Sequence, residues 1–326
     1  MSDMTTVSDT TYRWGRLGPD DVQAWAELVN LLAQVDQTDE FLVPQDLAEE
    51  LTQHGVDPAL DTWAIWDRDA MIAFGQVRVA HTLDREDRVR IWLSGGVHPQ
   101  HRARGIGRRL MQESEERGRH LAEQRHPGRS VFWRADGNLE GASVRPMLEH
   151  RGYAIVRYFN QMSRSIPGHA VSTEPDLGPG VRLIAPAQEH KEALRVAHNL
   201  AFRDHWGSAE SAPEAWHDYW VSRSSRMAVS TVVVDDGGAP LAYTLCAEWV
   251  PRELYVNIVG TVPAARGRGL AKACLEHTIA RAAESGDYDV IELHVDSASP
   301  TGATRLYERV GFALDKTFAA YQRDAD

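Results

Sequence analysis

The chain has 326 residues, of which 43% are hydrophobic and 25% charged, and it carries a formal net charge of −12. Its length exceeds one ordinary core and predicts two domains. The acidic balance excludes a nucleic-acid binder, which needs a basic surface; residues 1–11 are polar and no later apolar run reaches membrane-spanning length, so a cytoplasmic protein with no membrane partner is expected.

Apolar residues at helical spacing (Val22, Trp25, Leu28, Leu31, Leu32) predict a helix over 19–34, with a short one at 47–51. Strands follow at 62–66 and 71–80 around the turn Asp67-Arg68-Asp69, then at 88–97. An amphipathic helix over 105–124, a strand at 130–134, a helix at 142–150 and a pair of strands at 154–159 and 161–166 complete the first half. Residues 166–180 hold Pro167, Gly168, Pro175, Gly178, Pro179 and Gly180 with no hydrophobic period and read as a linker.

The second half repeats the order. Strand 181–184 is followed by helices 189–202 and 213–223, strands 228–234, 241–249 and 253–261, helix 269–285, strand 290–295, helix 301–310 and strand 317–322. The predicted domains are 1–165 and 181–326, each of mixed α/β (α+β) class with several adjacent strands. Cys246 lies in a strand-like run and Cys274 in a helical one, so two buried free thiols are expected.

One stretch occurs twice. Shifting the sequence by 164 residues lays Gly96, Pro99, Arg102, Arg104 and Gly105 onto Gly260, Pro263, Arg266, Arg268 and Gly269. Each copy follows an apolar strand and opens a helix, so its backbone N–H groups and positive helix end suit a phosphate. The glycines allow positive φ and close backbone approach. His98 and His101 lie inside the first copy with no carboxylate or cysteine cluster beside them, and no metal site is expected.

These motifs, with Val97-His98-Pro99 and Thr261-Val262-Pro263 ahead of the arginines and Leu306-Tyr307-Glu308-Arg309-Val310-Gly311-Phe312 near the end, resemble the GNAT acyl-CoA-dependent N-acetyltransferase superfamily. The resemblance covers nearly the whole chain twice and is similar to the tandem group that includes mycothiol synthase. It implies two GNAT-type domains, each a central twisted mixed sheet flanked by helices, and acetyl-CoA as co-substrate, with up to one molecule per domain. It implies pyrophosphate contacts at Arg266, Gly267, Arg268, Gly269, Leu270 and Ala271 in the second half, and at Arg102, Ala103, Arg104, Gly105, Ile106 and Gly107 in the first. Main-chain contacts to the pantetheine arm fall to Val259 and Thr261, and to Gly95 and Val97. Ser299 stands where relatives often carry Asn, and its hydroxyl can still bond the cofactor. The resemblance also implies that Tyr307, four residues before Gly311, protonates the departing thiolate. The matching residue four before Gly152 is Leu148, which has no proton to donate, so the first half reads as a degenerate copy and the second as catalytic.

The expected reaction is direct attack of a small-molecule primary amine on the thioester. Strand alternation places Glu253, Tyr255, Asn257, Val259 and Thr261 on one face. Glu253 is the candidate base, acting through a water, or a solvated strand end; His294 is the alternative base and Glu248 a weaker one. Asp204, His205 and Trp206 follow the first helix of the second half and, with Tyr255 and His294, are the candidate acceptor contacts. Trp216 and Trp220 read as core packing. A non-catalytic acyl-CoA-binding or sensor protein is the rival reading, and the sequence leaves the oligomeric state open between monomer and homodimer.

Overall fold

The computed structural model describes residues 12–166, 177–299 and 301–325. The predicted N-terminal segment 1–11, most of the predicted linker (167–176) and Pro300 lie outside the described residues.

The first half runs β1 (Arg13–Gly15), α1 (Val22–Asp36), α2 (Pro44–Thr52), α3 (Pro58–Asp61), β2 (Thr62–Asp67), β3 (Ala70–Val79), β4 (Val89–Val97), α4 (Ile106–Arg125), β5 (Val131–Asp136), α5 (Arg145–His150) and β6 (Ala154–Ser165). The second runs β7 (Val181–Ile184), α6 (Lys191–Phe202), α7 (Pro213–Val221), β8 (Thr231–Asp235), β9 (Pro240–Ala247), β10 (Glu253–Thr261), α8 (Leu270–Ser285), β11 (Val290–Asp296), α9 (Ala303–Arg309) and β12 (Ala313–Asp324). The short β1 and α3 were too brief to leave a period in the sequence.

Period-two alternation sends successive side chains to opposite faces of the sheet. On one face Ala64, Trp66 and Met71 pack with Trp25 and Leu28 of α1 and Leu47 and Leu51 of α2. On the other Trp63, Ile65, Val77 and Ile91 pack with Leu110 and Leu121 of α4. The second half repeats this: Val232, Val234, Tyr243 and Leu245 meet α6 and α7 through Leu194, Trp216 and Trp220, while Cys246, Val256 and Ile291 meet Leu275 and Ile279 of α8. Trp216 and Trp220 are therefore core residues, each burial stabilising the fold by about 1.5–3 kcal/mol. Cys246 and Cys274 are buried free thiols, each pushed up to about 12 by burial.

The halves are joined in one twelve-stranded sheet, ordered β1-β2-β3-β4-β5-β12-β6-β11-β10-β9-β8-β7. Pairing is antiparallel except for β4 with β5 and β10 with β11. The strand beside each parallel pair comes from the other half: β12 pairs with β5, and β6 with β11, while β6 and β12 pair with each other at the centre. This corrects the expected strand pair at 154–159 and 161–166. Residues 154–165 form one continuous strand because both of its edges are occupied, by β11 over 159–165 and by β12 over 154–163. No helix among the described residues is long and apolar enough to cross a membrane.

The exchange predicts that neither half folds by itself. A fragment of residues 12–166 lacks β12 and leaves the facing edges of β5 and β6 unpaired. It is expected to show no cooperative thermal transition alone and to regain one when mixed with a fragment of residues 177–326. A cooperative melt of the isolated first fragment would contradict the exchange.

Candidate active site

Both parallel strand pairs splay open. β4 stays paired with β5 from Val89 to Leu93 only, and β10 with β11 from Glu253 to Tyr255 only. Beyond those points β4 and β10 continue against β3 and β9 alone. Among the described residues, one edge of 94–97 and of 257–261 thus faces no strand, the arrangement an extended amide-bearing ligand can fill by strand addition. In the first half the gap opens into a cavity of about 610 Å³, and Gly95, Val97, Arg102, Ala103, Gly105, Gly107 and Leu148 all line it. Of the predicted first-half residues, Arg104 and Ile106 do not line it: Arg104 is exposed and Ile106 is buried in the core under α4.

Helices α4 and α8 start from Gly105 at φ 84° and Gly269 at φ 76°. The turn ahead of each helix has a second left-handed residue, Ala103 at φ 60° and Gly267 at φ 77°. Alanine there costs about 1–2 kcal/mol more than glycine, which the first copy tolerates and the second avoids. A Cβ added at Gly267 or Gly269 would meet nothing within 4 Å, so the second cradle is open to a ligand. The first-turn N–H groups of both helices, from Ile106 and Leu270 onward, have no partner inside the helix and can donate to an anion there.

The four arginines divide by position. Arg102 donates twice to Asp36 at the end of α1 (2.9 and 2.6 Å) and once to the Val97 carbonyl (3.1 Å). Arg266 donates to the Ala201 carbonyl in the last turn of α6 (2.9 Å). These two tie each cradle to the first helix of its own half. Arg104 and Arg268 are exposed, and Arg104 donates to the Tyr12 hydroxyl (2.9 Å). The Ser299 hydroxyl bonds that of Thr301 (3.0 Å) in the turn between β11 and α9.

Tyr307 on α9 is 7% exposed and packs edge-on against Phe312, with Val259 on the same cluster. Burial pushes its hydroxyl well above the usual tyrosine range, so it stays protonated at neutral pH. At the corresponding place α5 carries Leu148, fully buried in the first-half cavity wall.

A bulge between Val256 and Ile258 corrects the expected single face of β10. The extra residue, Asn257, resets the alternation. Val256 and Val259 pack on the α8 side, while Ile258 joins the cluster under α6 and α7. Tyr255 consequently points away from the Val259 face. Its ring meets Trp249 at 5.2 Å and His294 at 5.7 Å, and His294 meets Phe318 of β12 at 5.2 Å. Burial lowers His294 below the usual histidine range, leaving a neutral ring whose Nε2 is buried and unpartnered.

Three carboxyl groups line the same region, two of them unforeseen. Burial raises Glu292 of β11, which accepts from Gln161 of β6 at 2.6 Å. Burial and then Asp39 raise Glu253. Glu40, from the loop between α1 and α2, lines the first-half cavity while remaining exposed to solvent; desolvation by the cleft walls, then Asp136 and Glu292, raises its carboxyl above the usual range. That loop reaches the second half because Lys316 of β12 pairs with Asp39 and donates to the Gln37 carbonyl (3.1 Å).

The reciprocal loop, between α6 and α7, closes over the first half. Trp206 lies beneath the guanidinium groups of Arg134 (3.9 Å) and Arg157 (4.6 Å), and Arg90 donates to the Gly207 carbonyl. His205 bonds the Trp206 carbonyl (3.1 Å), and Asp204 is exposed. The structure therefore sets Asp204, His205 and Trp206 on the loop that covers strands β5 and β6, and assembles Glu40 with Tyr255 and Glu292 instead. The 164-residue shift carries Glu40 onto Asp204, so the internal repeat held the signal for Glu40 once the exchange of strands is known.

The sequence matches the acetyltransferase (GNAT) family over residues 25–142 and 192–312. It is 30% identical to a mycothiol acetyltransferase of Mycobacterium leprae over 240 residues, covering 69% of this chain and 72% of that protein. It is 31% identical to one of a Mycobacterium species (strain JLS), covering 71% and 73%. Among solved structures, a GCN5-related N-acetyltransferase from Sphaerobacter thermophilus superposes with a TM-score of 0.75 at 21% identity over 97% of this chain and 96% of that one. A tandem GNAT protein from the clavulanic acid biosynthesis pathway gives 0.70 at 16% identity over 97% and 99%. The chain belongs to the GNAT family of acetyl-CoA-dependent acyltransferases and carries two copies of its fold in tandem.

Proposed function

We infer that the second half transfers the acetyl group of acetyl-CoA to the primary amine of a small molecule, by direct attack with both substrates in one cleft, and that the first half binds without chemistry. The observation that carries this reading is the contrast of Tyr307 with Leu148 at matching places beside two matching cradles. The residues present fit acetyl-CoA: an open glycine cradle, a strand edge left free by the splay, and a protonated hydroxyl.

Within that reading Arg268 and the N–H groups of Gly269 to Ala271 hold the pyrophosphate, and the backbone of Val259 and Thr261 holds the pantetheine arm. A backbone N–H of β10 past the bulge receives the developing oxyanion, and Tyr307 gives its proton to the leaving sulfur. Tyr255, held protonated by burial, and His294, neutral with a free Nε2, orient the amine. Its proton passes to the carboxylates of this face, Glu253 among them, whose burial brings them toward the neutral range where a general base works best. The excess of carboxylates suits an ammonium form on arrival. The relatives' name supports a finer reading, in which the acceptor is of the mycothiol type.

Tyr307→Phe is expected to lower turnover about 100- to 10,000-fold while leaving the affinity for acetyl-CoA unchanged by calorimetry; undiminished CoA release with a responsive amine would remove the acid assignment. Gly269→Glu is expected to abolish turnover, because a carboxylate then occupies the helix start. Gly105→Glu is expected to keep turnover and to remove one bound CoA equivalent. Equal loss of turnover from both variants would refute the division between the halves.

A further inference from the structure

We propose that the sheet face of the first half that corresponds to the acceptor face of the second is a binding site for a small organic oxyanion, a carboxylate or phosphate monoester carried on a planar group. Binding there needs no turnover, so the proposal stands apart from the acetyl-transfer reading.

The two parallel strand pairs set the correspondence. Where β10 meets β11, Glu253 lies beside Val290 and Tyr255 beside Glu292. Where β4 meets β5, Arg90 lies beside Phe132 and Trp92 beside Arg134. The alternate residues, Ile91 and Leu93 in one half and Leu254 and Val256 in the other, point into the cores under α4 and α8. Both sets of partners therefore lie on the opposite face of the sheet, at the last outward positions before each pair splays. Arg90 stands at the place of Glu253, Trp92 at that of Tyr255 and Arg134 at that of Glu292. The aromatic ring is kept and both carboxyl groups become guanidinium groups. Such a face repels an ammonium and attracts an oxyanion.

These guanidinium groups have donors to spare. Arg90 donates to the Gly207 carbonyl and lies over Trp92 (3.9 Å). Arg134 donates through Nε to the side-chain carbonyl of Gln322 (3.0 Å) and lies over Trp206 (3.9 Å). Both acceptors are neutral, and among the described residues the two terminal nitrogens of Arg134 make no hydrogen bond. Arg157 of β6 lies over the same Trp206 ring (4.6 Å), 3.7 Å from Asp296. Of the other carboxylates nearby, Asp84 is held by Arg88 (3.1 and 3.0 Å), and Asp136 lines the first-half cavity. Stacking on an aromatic ring occupies the face of a guanidinium and leaves its in-plane N–H groups for a carboxylate or phosphate.

The site is held in shape and has a way in. The loop between α6 and α7 is strapped to the first half, where Ala209 bridges Asp84 and the Thr82 hydroxyl donates to the Glu210 carbonyl (2.7 Å). Trp206 and the arginines are thereby positioned before a ligand arrives, which lowers the cost of ordering them. Trp92 is 39% exposed and the Arg157 side chain 26%. The first-half cavity reaches this face at Ser94 and Asp136, the next outward residues after Trp92 and Arg134.

The test is calorimetric titration of the full chain at pH 7 with benzoate, with phenyl phosphate and, as the cationic control, with benzylamine. At least one of the two oxyanions is expected to saturate one Arg134-dependent site with a Kd of about 1 mM or tighter. Arg134→Gln is expected to weaken that binding about tenfold or more, and Trp92→Ala about three- to tenfold, while neither changes the response to benzylamine. Arginines that served only to anchor the loop would give no such dependence. A tighter site for benzoate names a carboxylate and a tighter site for phenyl phosphate names a phosphate ester; either order supports the proposal. Binding of neither oxyanion would overturn it, as would binding undiminished in an Arg134→Gln protein that melts as the parent does. If Arg134→Gln does not melt cooperatively, Trp92→Ala decides, since its side chain is half-buried at most: unchanged affinity for both oxyanions there would overturn the proposal.

Discussion

Everything in this molecule hangs on the central hydrogen-bonded pair of β6 and β12. Each strand ends one half of the sequence and completes the sheet of the other, which turns two repeats into one twelve-stranded sheet. Without the exchange, β5 and β11 would each have an open edge on the side away from β4 and β10. With it, Gln161 of β6, a first-half strand, reaches Glu292 on the acceptor face of the second half. The same crossing carries the α1–α2 loop to the second half, through Lys316, and the α6–α7 loop to the first, through Arg134 and Arg157.

The two clefts share a backbone and differ in side chains. Both have a splayed parallel pair, a left-handed glycine ahead of a helix and an arginine tying the turn to a first helix. One then presents a buried, protonated tyrosine, and the other a leucine in the wall of a roomy cavity. Duplication supplied two binding frames, and the chemistry depends on few substitutions within them.

Much of this was legible in the sequence because it depends on local backbone needs. Gly105, Gly269 and the apolar strands before them announce a turn and a helix start whatever lies elsewhere in the chain. Leu148 against Tyr307 was equally plain once the repeat was aligned. What the sequence did not show depends on contacts between distant residues. Glu40 lies over 200 residues from Tyr255 and Glu292, and only the strand exchange brings them together. The bulge at Asn257 left no mark in the apolar pattern, so the face of Val259 was misplaced. Strand β6 looked like two because its residues do not alternate cleanly, its partners on both sides being supplied from the far end of the chain.

The central claim is that this fold performs acetyl transfer to an amine. It is tested most directly by incubating the protein with acetyl-CoA and a panel of primary amines, aminoglycosides, peptides and thiol-containing amino sugars, following free CoA and confirming the product by mass. The account predicts CoA release that depends on one class of small amine, with a matching gain of one acetyl group on that amine. Tight binding of acetyl-CoA with no amine-dependent release across the panel would contradict it and leave an acyl-CoA sensor as the better description.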